Sequence, residues 1–246
     1  MRSRNLFVSI ALTLMCPTLA YAATLEDVER LIDEKWAGIT SFSADISIDV
    51  KVPLGPVSVP SNAEGTIELM AMEGGRKYRV DVENHLAKSF LLRNGLTQQV
   101  LTIFDGEHEF TELTIFGRKQ VNKRVPNPED TNRPMGGRAV FDRLRKQGDV
   151  SLAGETTIDG VAVWIIEVTG NGKPVDVQGP IDPSRIRVFI AQESGLQVRL
   201  LMFDEKNEEL LRMRYTNVKL NPELDAARFT YTPPPGVKVK EGESLI

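Results

Sequence analysis

IRVFIAQESGLQVRLLMFDEKNEELLRMRY, residues 186–215, decides the fold. Ile186, Val188 and Ile190 keep a two-residue period up to a polar turn, Gln192 to Gly195. Leu196, Val198, Leu200 and Met202 then alternate with Gln197 and Arg199 as far as a second turn, Asp204 to Asn207. Beyond it Leu211, Met213 and Tyr215 alternate with Arg212 and Arg214. Successive side chains of a strand point to opposite faces, so this period describes strands with one greasy and one wet face. Short polar turns between such strands make an antiparallel meander.

The same period governs the chain on the N-terminal side. Phe42, Ala44, Ile46, Ile48 and Val50 alternate with Ser43, Asp45, Ser47, Asp49 and Lys51. Ile67 and Leu69 lead through Gly74 and Gly75 to Tyr78, Val80 and Val82, which alternate with Lys77, Arg79, Asp81 and Glu83. Ahead of these strands the period is helical. Thr24 with Asp27 forms a capping signature, apolar positions follow at Leu25, Val28, Leu31, Ile32 and Trp36, and Gly38 is the stop.

Two stretches break the pattern. Residues 118–137 hold three prolines, two adjacent glycines and many charges, and read as a loop that leads into a short helix at Val140, Phe141 and Leu144. Residues 170–183 read as a second loop. The strand pattern is the same on both sides of each, and a sheet interrupted there would leave open edges, so neither is a domain boundary. The expected fold is mainly β: a single curved antiparallel sheet forming an open, incomplete β-barrel. An N-terminal helix and a short central helix would lie over it as a lid.

The first residues have the form of an export signal. Arg2 and Arg4 precede an apolar run from Leu6 to Leu14, and Ala20, Tyr21 and Ala22 give the small-x-small site of a signal peptidase. The expectation is a signal peptide over residues 1–22, a mature domain over 23–246 and a periplasmic location. The apolar run is too short to span a bilayer as a helix. Cys16, the one cysteine of the chain, follows the bulky Met15, a poor context for lipoprotein acylation, and would leave with the signal. Disulfides and thiol chemistry then have no residue to work with. The formal charge of −4 gives no support to a nucleic-acid partner, which calls for a basic stripe.

Catalytic and metal chemistry find little to stand on. The two histidines, His85 and His108, both sit among charged residues, and Glu107 and Glu109 flank His108 on what alternation makes the opposite face. Neither stands at ligand spacing from a second histidine or cysteine, and the glycines fit no phosphate-binding signature. The expectation is no enzyme, no metal and no cofactor.

The apolar face is the informative feature. A many-stranded sheet must bury such a face by curling, and the curl encloses either a filled core or a lipid-sized hollow. One-face alternation places Ile46, Ile48, Ile67, Leu69, Tyr78, Val80, Val188, Val198, Leu200, Met213 and Tyr215 inward. Leu25, Val28, Ile32 and Trp36, with Phe141 and Leu144, form the lid side.

The chain ends LDAARFTYTPPPGVKV, residues 224–239, which resembles the closing motif of the periplasmic lipoprotein carrier family, the LolA-like proteins. In that family an aspartate-led turn, an aromatic strand, paired prolines and Gly-Val end the fold. Asp105 and Gly106 in LTIFDGEHEF, with Phe110 after them, match a second family motif. Weaker matches are SFSADISI, the Gly65-led strand that ends at Tyr78 and Arg79, the Asp159–Gly160 hairpin before Val163 to Val168, and FIAQESGLQVRL. Together they run through the mature chain in family order.

The resemblance implies an open barrel lidded by helices whose hollow takes the acyl chains of a lipoprotein or another lipid. It further implies an inner-membrane donor complex and an outer-membrane acceptor, with the carrier a monomer. The family's lysine-arginine-proline after the Gly-led strand is absent, since that stretch reads MAMEGGRKYR. The arginine tied to lid closure is therefore missing, and Arg76 and Arg79 are the candidates to replace it. The same fold also serves a second reading, a periplasmic lipid or lipoprotein sensor that acts through a membrane-bound partner. Within residues 118–138, Arg118, Lys119, Lys123, Arg124, Arg133 and Arg138 outnumber Glu129 and Asp130, a basic stretch suited to an acidic partner or an anionic lipid surface.

Overall fold

A computed structural model describes residues 23–54, 57–73, 75–88, 93–126, 137–170, 172–175, 177 and 181–242. The expected signal over 1–22, with Cys16, lies outside these residues, as do Glu129, Asp130 and Arg133.

Twelve strands form one sheet among the described residues. They are β1 (Ser41–Leu54), β2 (Val57–Met72), β3 (Gly75–Leu86), β4 (Leu96–Phe104), β5 (Glu109–Ile115) and β6 (Arg118–Arg124), then β7 (Asp149–Ile158), β8 (Val161–Thr169), β9 (Arg185–Ala191), β10 (Gln197–Phe203), β11 (Glu209–Leu220) and β12 (Val239–Glu241). Their order across the sheet is β12-β6-β5-β4-β3-β2-β1-β11-β10-β9-β8-β7. Two meanders, β1–β6 and β7–β11, are thus joined where β1 pairs with β11. The sheet curls without closing into a barrel. Every pairing is antiparallel except β12 with β6, which is parallel and departs from the expected all-antiparallel sheet.

Bulges supply part of the curl, since an extra residue in one strand bends it and raises its twist. Between Ser43 and Asp45 the register with β11 shifts, and Asn217 there takes a φ of 51° while its amide donates to the Asp45 carboxylate at 2.5 Å. Further shifts fall in β7 and at both ends of β10.

Residues 118–124, expected as loop, are strand β6, a correction. The Phe116–Gly117 turn has positive φ at both residues, the two-residue geometry that matches the twist of a hairpin, and pairs Ile115 with Arg118. The strand escaped the periodicity because Val121 is its one apolar residue. The stretch from 170 to 183 contains no helix or strand among its described residues, as expected.

Among the described residues two α-helices, α1 (Leu25–Trp36) and α2 (Arg138–Gln147), lie on one face of the sheet, here called the inner face. The capping box of α1 is as expected: the Asp27 amide donates to Thr24 Oγ1 at 3.2 Å, and the Thr24 amide to Asp27 Oδ2 at 3.2 Å. Val28 and Ile32 of α1 and Val140, Phe141 and Leu144 of α2 share one core with Trp164, Ile166, Val168, Ile186, Val188 and Ile190. At the other end of α1, Trp36 joins Phe42, Ala44, Leu69, Tyr78, Phe104 and Leu196. The Lys35 ammonium donates to the Glu193 carbonyl in the β9–β10 turn at 2.7 Å, and Gly195 lets that turn approach the Ile32 backbone.

The segment after β11 crosses the opposite, outer face. Asp225 caps a short 3-10 turn, Ala226–Phe229, whose Arg228 reaches Glu68 at 2.8 Å. Tyr231 stacks on Phe110 and donates its hydroxyl to Glu112 at 2.6 Å. The closing motif is therefore a strap over the back of the sheet that ends as β12.

Candidate functional site

Cross-strand register turns the alternation into rows. Ala63, Ile48, Met213, Leu200, Val188, Ile166 and Leu152 stand opposite one another across β2, β1, β11, β10, β9, β8 and β7. Val50, Leu211, Met202, Ile186 and Val168 form the next row, and Leu113, Val100, Val82, Gly65, Ile46 and Tyr215 a third. Paired residues share a face, so these rows are one apolar floor.

The helices cover only part of it. Val188 is fully buried beneath α1 and α2, Leu69 and Tyr78 are buried with Trp36 and Phe42, and Ile46 is buried as well. Ile48, Ile67, Val80, Val198, Leu200, Met213 and Tyr215 remain half-buried, as do Val50, Val82, Leu113 and Leu211. On the lid side, Val28, Ile32, Trp36, Phe141 and Leu144 are buried, with Leu25 packed at their edge. The residues read as inward thus divide into a packed core under the helices, an edge of Ile67, Val80, Leu200 and Tyr215 packed against it, and a half-buried strip with Ile48, Val198 and Met213 that belongs to neither core cluster. An open recess of about 420 Å³ lies at the helix-distant end of β1, β2, β3 and β11, where Val50 and Leu86 meet the polar Asp49, Ser61 and His85.

The two candidate arginines separate by face. Arg76 shares the inner face with Tyr78 and lies 5.0 Å over the Trp36 ring of α1, where burial lowers its guanidinium pKa from the usual value. Arg79 is on the outer face, paired with Asp81 at 2.9 Å and reaching the Arg228 carbonyl. Gly137, at φ 75°, brings the chain into α2 against the same indole, where a Cβ would stand 2.8 Å from Trp36 Cδ1.

Polar groups on the inner face escaped the sequence reading. Glu109, buried at the start of β5, accepts from the Tyr78 hydroxyl and from Arg124 Nε at 2.5 Å. Glu29, buried on α1, accepts from Arg145 of α2 and ties the two helices together. Burial pushes the Tyr215 hydroxyl up to about 12, although the Arg143 guanidinium of α2 pulls the other way. The signal for Glu109 was present, since it keeps phase with Thr111 and Leu113, but alternation treats any charge as wet.

His85 contacts Glu83 at 2.9 Å and Thr97 at 3.1 Å on the outer face, and His108 lies 3.7 Å from Glu107. Among the described residues no three histidine, cysteine or carboxylate side chains gather as a metal site. The basic stretch divides as well: Lys119 pairs with Glu112 at 2.5 Å, Arg124 with Glu109, and Lys123 lies 5.9 Å over the Phe110 ring.

No family model matches the chain. It is similar to an uncharacterised protein of Methanocaldococcus jannaschii, 22% identical over 229 residues, and spans 55% of the length of that relative with 89% of its own. Among solved structures it is similar to an uncharacterised conserved protein of Thermus thermophilus, at TM-score 0.49 and 13% identity, with 88% of this chain and 98% of the other covered. It is also similar to a LolA superfamily protein of Nitrosomonas europaea, at TM-score 0.30 and 13% identity, with 85% and 99% covered. The chain is thus a mainly β protein with one open, curled sheet and helices on one face, the architecture that the resemblance to LolA-like proteins implied.

Proposed function

We propose that the inner face binds the acyl chains of a lipoprotein or another lipid, and that the protein is a non-enzymatic periplasmic carrier that moves them toward the outer membrane. The observation that carries this reading is the half-buried strip. Ile48, Val50, Val82, Met213 and Leu211 continue the floor of the packed core and belong to neither core cluster. A contiguous apolar strip on one face of a sheet marks a binding surface, and each methylene it takes from water is worth about 0.8 kcal/mol. Arg76 against Trp36 is placed to hold α1 down, and release of that contact would uncover more of the floor.

The test is binding of a fluorescent fatty acid to Ile48→Glu and Met213→Glu. Both sites are half-buried, so a charge there leaves the packed core in place but puts a carboxylate where the acyl chain would lie. Affinity should fall at least tenfold with the β-type circular dichroism unchanged, and undiminished binding in the folded variants would refute the reading. Native mass spectrometry of protein from its own cells then separates carrier from sensor. A co-purifying acylated species transferable between membranes identifies a carrier, and a stable membrane-protein partner the sensor.

A further inference from the structure

The hairpin tips at the helix-distant end of β1–β6 carry a feature that acyl binding does not use. Phe116, at the β5–β6 tip, is 84% exposed, the most exposed of the large hydrophobic residues described. Its backbone has a φ of 51°, a region that bulky residues rarely enter. Asn or Asp would suit the turn better, and neither would put an aromatic ring into water. The ladder up to the Ile115–Arg118 pair fixes this tip rigidly.

The charges on the three tips of β1–β6 have one sign, whereas the next tip along the same end, the β10–β11 turn with Asp204, Glu205 and Glu208, has the other. Lys51 stands at the β1–β2 tip, Lys88 and Arg93 at the β3–β4 connection, and Arg118 and Lys119 beside Phe116. The described residues of these tips, within 51–58, 86–97 and 114–120, include no Asp or Glu, in a chain of net charge −4. Lys51 pairs with Glu208 of that acidic turn at 3.7 Å and Lys119 with Glu112 of β5 at 2.5 Å, which leaves Lys88, Arg93 and Arg118 as the cations of the proposal. Arg118 has no ion pair among the described residues. The register places all three connections at the same end of the sheet, because Leu54 pairs with Val57, Leu86 with Leu96 and Ile115 with Arg118.

We infer that the β3–β4 and β5–β6 tips dock on an anionic lipid bilayer, with Phe116 seated at the headgroup level and Lys88, Arg93 and Arg118 facing the lipid phosphates. An aromatic ring with cations beside it suits the membrane interface, where the ring meets the acyl boundary and the charges meet anionic headgroups. The attachment is peripheral and weakened by salt. It stands apart from acyl binding, since Phe116 is not part of the inner floor.

The experiment uses protein isolated from its own cells and vesicles of phosphatidylglycerol and phosphatidylethanolamine, with phosphatidylcholine vesicles as the uncharged control. Phe116→Asn should fold at least as well as the parent, because asparagine tolerates this φ, yet cosediment about tenfold more weakly, on the order of what burying one Phe side chain supplies. Replacing Lys88, Arg93 and Arg118 by Gln should cost about fivefold per cation on the anionic vesicles and little on the uncharged ones. Phe116→Trp should show a blue-shifted emission component on anionic vesicles. The inference is overturned if Phe116→Asn sediments like the parent, if the tryptophan emission ignores vesicles, or if the parent binds both lipids equally at every salt concentration. Fluorescent fatty acid binding, measured on the same variants, should stay unchanged and keeps the fate of this surface distinct from that of the inner face.

Discussion

Gly65 faces Val82 across the β2–β3 ladder, and a Cβ at Gly65 would stand 1.9 Å from the Asp81 carbonyl oxygen. The oxygen belongs to a backbone held in register on both sides, so neither strand yields without breaking its ladder. Gly65→Ala should therefore destabilise the protein by about 2–3 kcal/mol, the upper range for overpacking, which a shift of the denaturation midpoint at constant slope would report. This glycine was legible as the start of a strand but not as a contact, because its role depends on a residue 16 positions away. Glu109 shows the opposite limit. Its burial depends on Tyr78 and Arg124 arriving from two other strands, and no period within one strand shows that a carboxylate has found such partners.

Elements with strong periods were readable in the sequence, and those held by partners were not. The α1 helix carried its cap and its apolar face in consecutive residues, and β9 to β11 alternated cleanly. Strand β6, with one apolar residue, forms because β5 and β12 supply hydrogen bonds on its two sides, and that pairing leaves no local trace. The strap was recognisable as a motif, yet nothing in it told which face of the sheet it would cross. Its anchor is Glu112. Burial raises the Glu112 pKa, but hydrogen bonds from Lys119 and Tyr231, with the Lys119 charge, outweigh it and leave the carboxyl below its ordinary value. A depressed carboxyl pKa contributes stability that is present above the ordinary carboxylate range and lost as pH falls through the lowered value. Tyr231→Phe should thus cost about 1 kcal/mol at neutral pH. The difference from the parent should narrow in thermal melts as the solution is acidified into the carboxylate range.

For the whole molecule, an occupied inner face and an empty one differ in stability by mass action. A ligand that binds the folded chain alone adds about 2.7 kcal/mol at 100 times its Kd. A fatty acid at that excess should raise the melting temperature of the parent clearly, and that of Met213→Glu hardly at all. Equal shifts in both proteins would place the ligand elsewhere than on the floor described here.

The pairing of β1 with β11 has a further consequence, for the order in which the chain acquires its structure. Within each meander, neighbouring strands are joined by turns or by loops short beside the length of the chain. Val50 and Leu211, by contrast, meet across most of the chain. Closing so long a loop costs entropy that no local contact offsets in advance, and topologies dominated by distant pairings fold slowly. Two half-sheets are therefore expected to form early and to present unpaired edges at β1 and β11 until they find each other. Even α1 depends on that union, since it precedes every strand in the sequence yet packs through Val28 and Ile32 on strands of the second meander. A chain emerging N-terminus first cannot seat its first helix until its later strands have arrived, and until then the apolar floor stays split between the two half-sheets and open.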